Sequence, residues 1–288
     1  MKLNKKFVGL LSLLAVSVIA LSACGSSKSK DTTSSTKKAD SDSTLIVGAS
    51  ATPHAEILEH VKPLLKEKGV NLEVKVFSDY ILPNKALAEG DISANYFQHI
   101  PYFNQQVKEN DYKFANAGAI HVEPMGLYSK SIKDIKDLKD GSTVITSNSS
   151  SDWGRIITIL KDAGLVEVKD GVDLETATFE DITKNPKNLK FNHTLNPEVL
   201  TTAYENEEAP LVAINGNFAY AAGLNPLKDA VLLEKDNTPY VNIIAVRDED
   251  KDSKAIKTLV EVLHEKEVQD WILEKWNGSV KPVAADAK

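Results

Sequence analysis

The chain has one cysteine, Cys24, in 288 residues. One thiol cannot close an internal disulfide, so the fold must rest on its apolar core. Positive charge is also in deficit, with 34 Lys and Arg against 41 Asp and Glu and a formal charge of −7. Outside the first residues and the polar segment that follows them there is no dense basic patch, which argues against a nucleic-acid partner. Catalytic signatures are missing as well. No GxSxG elbow, HExxH, GxxxxGK[ST] or GxGxxG occurs, so the familiar hydrolase, zincin, phosphate-loop and dinucleotide readings have no motif to stand on. No internal repeat is visible, and nothing in the sequence calls for a cofactor or a metal. What remains is ordinary globular composition, 42% hydrophobic and 26% charged, in a length that suits one domain or two.

The long apolar run lies at the start. Residues 1–24 read MKLNKKFVGLLSLLAVSVIALSAC, with Lys2, Lys5 and Lys6 ahead of an apolar stretch from Phe7 to Leu21. Small residues then lead to Cys24, the layout of a secretory signal over 1–23. The apolar stretch is shorter than the ~20 residues of a spanning helix. Removing 1–23 takes away three lysines and no acid, so the charge of −7 becomes −10. From Gly25 to Ser43 no apolar side chain exceeds Ala39 in size. Such a segment buries too little to fold and is expected to act as a flexible tether over 24–43.

The folded part is expected to start near Thr44. The run Leu45–Gly48 suits a buried strand. A helical period through Ile57, Leu58, Val61, Leu64 and Leu65 follows, with Thr52 as its cap and Pro53 at its first position. Residues 71–77 alternate as a strand, so the chain opens as β-α-β and implies a parallel sheet. Residues 131–140 suggest a polar helix. The strand 141–146 runs into SNSSSDWGR and an apolar helix from Ile156. A small polar loop before a helix exposes free backbone N–H groups, where anions bind. Ser151 or Asp152 is the expected cap. Arg155, in the first turn, opposes the usual dipole preference, which favours a ligand role for it. Asn215 ends one buried strand and Asn242 sits inside another, where an amide must find partners. Two amphipathic helices close the chain. Strands alternating with helices make the fold class α/β.

One stretch stands out. Between Phe77 and Tyr102 the sequence gathers Phe77, Tyr80, Tyr96, Phe97, His99 and Tyr102, in a chain that is only 7% aromatic. Apolar faces with polar tips suit a pocket for a small, partly apolar ligand. The other histidines carry weaker signals. His54 and His60, with Glu56 and Glu59 between them, fit a solvated helix face. His121 and Glu123 fall on one side of a strand, a weak metal signal.

Several segments together resemble the methionine-binding lipoproteins of bacterial ABC importers, the NlpA/MetQ family. They are VGASATPHAEILEHVKP, FSDYILPNKAL, DISANYFQHIPY, HVEPMGLYS, AINGNFA and PYVNIIAVR; Leu21-Ser22-Ala23-Cys24 is similar to the bacterial lipobox. The resemblance implies an α/β, two-lobed, periplasmic-binding-protein-like fold (type II-like) with a ligand cleft between lobes. Lobe 1 would hold 45–128 plus 239–288, and lobe 2 would hold 129–238. It implies a lipidated Cys24, tethering to the extracytoplasmic face of the cell membrane, and partnership with an ABC permease and ATPase. Tyr80, Phe97, His99 and Tyr102 would take the methionine side chain, Arg155 the carboxylate, and Asn215 and Asn242 the polar ends. The loop 147–155 departs from the family's PND-x-TN-x-GR. Ser147, Ser149 and Asp152 replace proline, aspartate and asparagine, and Trp153 precedes the glycine, which leaves a methionine-containing dipeptide or another apolar amino acid open as ligand. From other classes, a surface-anchored metal-dependent hydrolase built on His99, His121 and Glu123, or a structural adhesin, remain alternatives.

Overall fold

Leu45–Ser50 (β1) is an apolar run buried along nearly its whole length, so it needs cover on both faces. Helix α1 (Glu56–Glu67) provides part of that cover and leads to β2 (Leu72–Phe77), which pairs in parallel with β1. In this computed structural model, residues 44–236, 238–284 and 286–287 are described. The signal segment, Cys24 and the tether lie outside the described residues. Among the described residues, no helix is long and apolar enough to cross a membrane.

The start of α1 corrects the sequence reading. Thr52 is extended at φ −141° and ψ 142°, and residues Ala51–Ala55 form an irregular turn before regular helix begins at Glu56. Thr52 therefore caps nothing. The turn carries His54 into the interior, at 1% exposure, instead of onto a solvated helix face.

The chain continues through α2 (Leu82–Glu89), β3 (Ala94–His99), α3 (Ile100–Asn110) and β4 (Phe114–Val122) to β5 (Gly126–Tyr128). The expected helix over 131–140 is reduced to one turn at Ile135–Asp137. Only Leu138 is fully buried there, so no apolar face holds a longer helix in place. Next come β6 (Thr143–Ser147), α4 (Trp153–Asp162), β7 (Glu167–Val168), β8 (Ile182–Lys184), β9 (Lys190–Leu195), α5 (Leu200–Glu205) and β10 (Leu211–Ile214). Then follow α6 (Gly216–Ala221), α7 (Pro226–Asp229), β11 (Ala230–Leu233), β12 (Val241–Arg247), α8 (Lys254–Leu263), α9 (Lys266–Lys275) and β13 (Lys281–Pro282).

Two main sheets result. One has the order β13-β4-β12-β3-β1-β2 and the other β11-β5-β10-β6-β9. In the first sheet, Val47, Tyr96 and Ile244 share a core with Leu58 of α1, Leu259 of α8 and Ile272 of α9. In the second, Leu127, Val144 and Leu211 pack on Ile156 and Leu160 of α4. Burying each such side chain contributes about 1.5–3 kcal/mol. The chain passes between sheets twice, from β4 to β5 and from β11 to β12. Both passages bring acids to the site, Glu123 on the first and Glu234 on the second.

Candidate functional site

β3 leaves its sheet with Phe97 and His99 directed into a cavity, while Tyr96 belongs to the core behind it. That split follows from strand alternation. Tyr80, Phe97, His99, Tyr102, Arg155, Asn215 and Asn242 all line this one cavity, together with His54, Glu123, Asp152 and Asn217. Phe77 is elsewhere, packed with Ile92 and Leu87. The space enclosed is about 20 Å³, far below the ~300 Å³ or more of a typical ligand pocket. Uptake of a ligand therefore requires the walls to part.

The aromatic wall is tightly organised. Tyr80 lies 5.9 Å from Phe97, 5.9 Å from Tyr102 and 5.1 Å from Phe218, ring centre to ring centre. The Tyr80 hydroxyl donates to Asn217 Oδ1 at 2.6 Å, and the Tyr102 hydroxyl donates to the Tyr80 carbonyl at 2.9 Å. Burial raises both phenols above their ordinary range, so they remain donors at neutral pH. Behind them Asn84, Asn95 and Gln98 satisfy one another, with Asn84 Oδ1 accepting from both partners at 2.9 Å. Asn84 and Asn95 are scaffold, and Gln98 also borders the cavity. Together they fix β3 against α2.

His99 joins the aromatic wall to the charged one. Its Nδ1 accepts the Tyr102 backbone N–H at 3.1 Å, capping α3. The ring proton is therefore on Nε2, which donates to Asp152 Oδ1 at 3.1 Å. Asp152 occupies the position before α4 but does not cap the helix. It accepts from His99 and, through Oδ2, from Asn215 Nδ2 at 3.0 Å. Burial disfavours its charge, but the His99 bond, the Arg155 guanidinium and Asn215 outweigh this and hold the carboxyl below its usual range.

Arg155 is 5% exposed and already heavily engaged. Its Nε donates to Glu234 Oε1 at 3.2 Å, and Nη2 donates to Glu234 Oε2 and to the Glu123 carbonyl at 3.1 Å. The guanidinium lies over the Tyr240 ring, 4.3 Å from its centre. Glu234 also accepts from the Met125 backbone N–H at 3.0 Å and the Thr238 hydroxyl at 2.9 Å. Burial alone would lower the Arg155 pKa, but Glu234 and Asp152 raise it above its ordinary value. Of the five N–H donors, only those on Nη1 are uncommitted apart from a long 3.5 Å contact to Asp152. Helix α4 can begin close to its neighbour because residue 154 is glycine: a Cβ there would lie 2.0 Å from the Leu174 carbonyl oxygen.

At the back of the cavity His54 Nε2 faces Asn242 Oδ1 at 2.9 Å and Glu123 Oε1 at 3.2 Å. His121 Nε2 meets the same Glu123 oxygen at 2.8 Å, and its Nδ1 meets the Tyr96 hydroxyl. Burial pushes His54 down to about 4, despite the pull of Glu123, and His121 down to about 3. Burial also raises Glu123, against the pull of His54, Arg155 and His99. His54, His121 and Glu123 bring three potential metal-ligand atoms within 4.8 Å of one another, yet neutral histidines donating to one carboxylate account for each contact. The hydrolase grouping of His99, His121 and Glu123 does not assemble. His99 is turned to Asp152, and His54 takes the place beside His121.

Among the residues that line the cavity, three buried atoms have no hydrogen-bond partner among the described residues: Glu123 Oε2, Asn215 Oδ1 and His54 Nδ1. Gly216 keeps Glu123 Oε2 open, since a Cβ at 216 would approach it to 2.8 Å. Sequence reasoning missed His54, Asp152 and Glu234 as site residues, and named Glu123 only for the hydrolase alternative. The signal available was Glu123, an acid directly after a strand and before Pro124.

The altered loop is narrower in effect than its sequence suggests. Trp153 points away, its Nε1 donating to the Ser147 carbonyl at 2.9 Å and its ring 4.7 Å from His193. Ser149 and Ser151 pair with each other at 3.0 Å. Of the four exchanged residues, only Asp152 lines the cavity.

Known proteins resemble this chain over most of its described length. The profile of the NlpA lipoprotein family matches residues 45–284. Methionine-binding lipoprotein MetQ of Bacillus subtilis (strain 168) is 50% identical over 284 residues, covering 98% of this chain and 100% of the relative. A pheromone cOB1 precursor/lipoprotein of the YaeC family from Enterococcus faecalis V583 has a crystal structure with a TM-score of 0.82 and 63% identity, covering 84% of this chain and 100% of that one. A nutrient binding protein from Burkholderia cenocepacia, solved bound to methionine, gives a TM-score of 0.79 at 38% identity, over 84% of this chain and 100% of that one. The α/β substrate-binding fold implied by the sequence resemblance is the fold found. The chain belongs to the NlpA lipoprotein family.

Proposed function

We propose that this protein is an extracytoplasmic, lipid-anchored receptor that captures L-methionine, or a close relative, and delivers it to an ABC permease and its ATPase. The observation that carries the reading is a single cavity with one aromatic side and one charged side. Tyr80, Phe97 and Tyr102 offer ring edges to a thioether, each contact contributing ~0.3–1.5 kcal/mol. Glu123 Oε2 and Asn215 Oδ1 accept from the ammonium, and Arg155 Nη1 donates to the carboxylate. Asn242 orients His54, which in turn holds Glu123. The names of the B. subtilis relative and of the methionine-bound B. cenocepacia structure support the same ligand. Lipid on Cys24 would hold the chain at the membrane, and acyl burial contributes ~0.8 kcal/mol per CH₂.

Ligand entry needs a hinge, and we assign it to the two passages between sheets, with lobe 1 as 45–128 plus 239–288 and lobe 2 as 129–238. The His99–Asp152 and Tyr80–Asn217 bonds cross between these lobes and must break on opening. Native mass spectrometry of gently purified protein tests the ligand. A bound mass equal to methionine supports the reading, and a different co-purified mass replaces it.

A further inference from the structure

We propose that Asp152 fixes the polarity of Asn215, so that the cavity demands an ammonium on its ligand and tolerates loss of the ligand carboxylate. The proposal rests on the reading of this cavity as an amino-acid receptor. It follows from what a carboxylate can and cannot do. Asp152 has only acceptors when ionised, and its Oδ2 receives Asn215 Nδ2 at 3.0 Å. The Asn215 amide therefore turns its nitrogen to Asp152 and its oxygen away from it, and that oxygen is buried without a donor. An asparagine at 152 would lift this constraint. Its amide nitrogen could face Asn215 Oδ1, and Asn215 would then present N–H donors to the cavity.

With aspartate in place, Glu123 Oε2 and Asn215 Oδ1 are unpartnered acceptors on cavity-lining residues, His54 Nδ1 is a third, and the Asp152 carboxylate, already bonded to His99 and Asn215, adds negative charge beside them. Glu123 and Asn215 are each 5% exposed and Asp152 is 1% exposed, so unmet acceptors here are costly. A primary ammonium has three N–H donors and one positive charge, enough to reach Glu123 Oε2 and Asn215 Oδ1 and opposite in sign to the carboxylates. The anion side is thinner. Glu234 and the Glu123 carbonyl take Arg155 Nε and Nη2, which leaves Nη1 for a ligand carboxylate. Asp152, Glu123 and Glu234 also outnumber the single guanidinium. The charge of the head group, more than its anion, decides entry.

Three ligands of one side chain separate the contributions. L-Methionine has both head groups, L-methioninamide lacks the carboxylate, and N-acetyl-L-methionine lacks the ammonium. Calorimetry on the detergent-solubilised, ligand-stripped lipoprotein should find methioninamide within about 10-fold of methionine and N-acetylmethionine at least about 100-fold weaker, because a site built to bond a missing group rejects the analogue strongly. In Asp152→Asn, the ratio of methioninamide to N-acetylmethionine affinity should fall at least about tenfold. A uniform loss for all three ligands in that variant would make Asp152 a structural residue only and overturn the proposal. The wild-type ranking needs no variant, so it stands as a test even where Asp152→Asn fails to fold. Methionine binding with methioninamide rejected as strongly as N-acetylmethionine overturns the proposal and leaves the methionine reading intact. Binding of methioninamide without methionine overturns the methionine reading and leaves the ammonium seat. No binding of any of the three overturns both.

Discussion

The two walls of the cavity hold their shape by different means. The β3 wall is aromatic, backed by amides that satisfy one another and by His54 and His121, which burial keeps neutral. The wall at α4 is built from ions: Asp152 and Glu234 are buried around one shared guanidinium, that of Arg155. Neutral partners tolerate loss of one bond at modest cost, whereas a buried ion left alone is expensive. The aromatic wall should therefore act as a rigid floor. The charged wall is where stability and ligand choice are coupled.

The largest effect should come from the ionic wall. Arg155→Ala leaves Asp152 and Glu234 without their cation and is expected to lower folding stability by about 3–5 kcal/mol, read by denaturant unfolding. A loss below about 1 kcal/mol would mean the ions are solvated and would erase the contrast between walls. Removal of Asp152 in the same chain should recover part of the loss.

Acid should act next, through the floor. His54 falls from 6.5 to about 4 and His121 from 6.5 to about 3 in the folded protein. Between those values and 6.5 the unfolded chain binds the extra protons, so stability falls as pH falls. Glu123 opposes one histidine, because its raised carboxyl takes up its proton earlier in the folded state. Stability is therefore expected to fall from the upper to the lower end of the pH 4–6.5 window, with Glu123 offsetting part of the slope. Denaturant midpoints that stay level across that window would show that the histidines are not held neutral.

Gly154→Ala should be smaller but sharper in meaning. The added methyl meets the Leu174 carbonyl, and overpacking of this kind costs about 1–3 kcal/mol. It tilts α4 and with it Arg155, so ligand affinity should fall together with melting temperature. A fall in melting temperature alone would uncouple the start of α4 from the site. Tyr80→Phe removes one neutral bond to Asn217 and is expected to cost about 0.5–1.5 kcal/mol, with little change in ligand ranking. A large change in ranking would move Tyr80 from floor to selector.

The floor was legible in the sequence because its residues are close in the chain. Tyr80, Phe97, His99 and Tyr102 come from one aromatic span, and period alone placed β1, α1, β2 and α4. The charged wall was only half legible. Arg155 drew notice by its odd place in the first turn, but Glu234 lies 79 positions away from it, on a passage between sheets that no local pattern marks. His54 was misplaced because its segment carries helical signals yet turns irregularly into the core. Short elements such as β7 and β8, two and three residues long, leave no period to read. Trp153 looked like a change to the site, and only the tertiary contact with His193 reveals that it faces outward.

The most direct test of the account is titration of L-methionine into ligand-stripped, detergent-solubilised protein by calorimetry, repeated in buffers of different ionisation enthalpy. One site per chain is expected, with proton release wherever part of Glu123 is still protonated, because the ligand ammonium restores the carboxylate that burial disfavours. Absence of binding by methionine and by every other amino acid would contradict it.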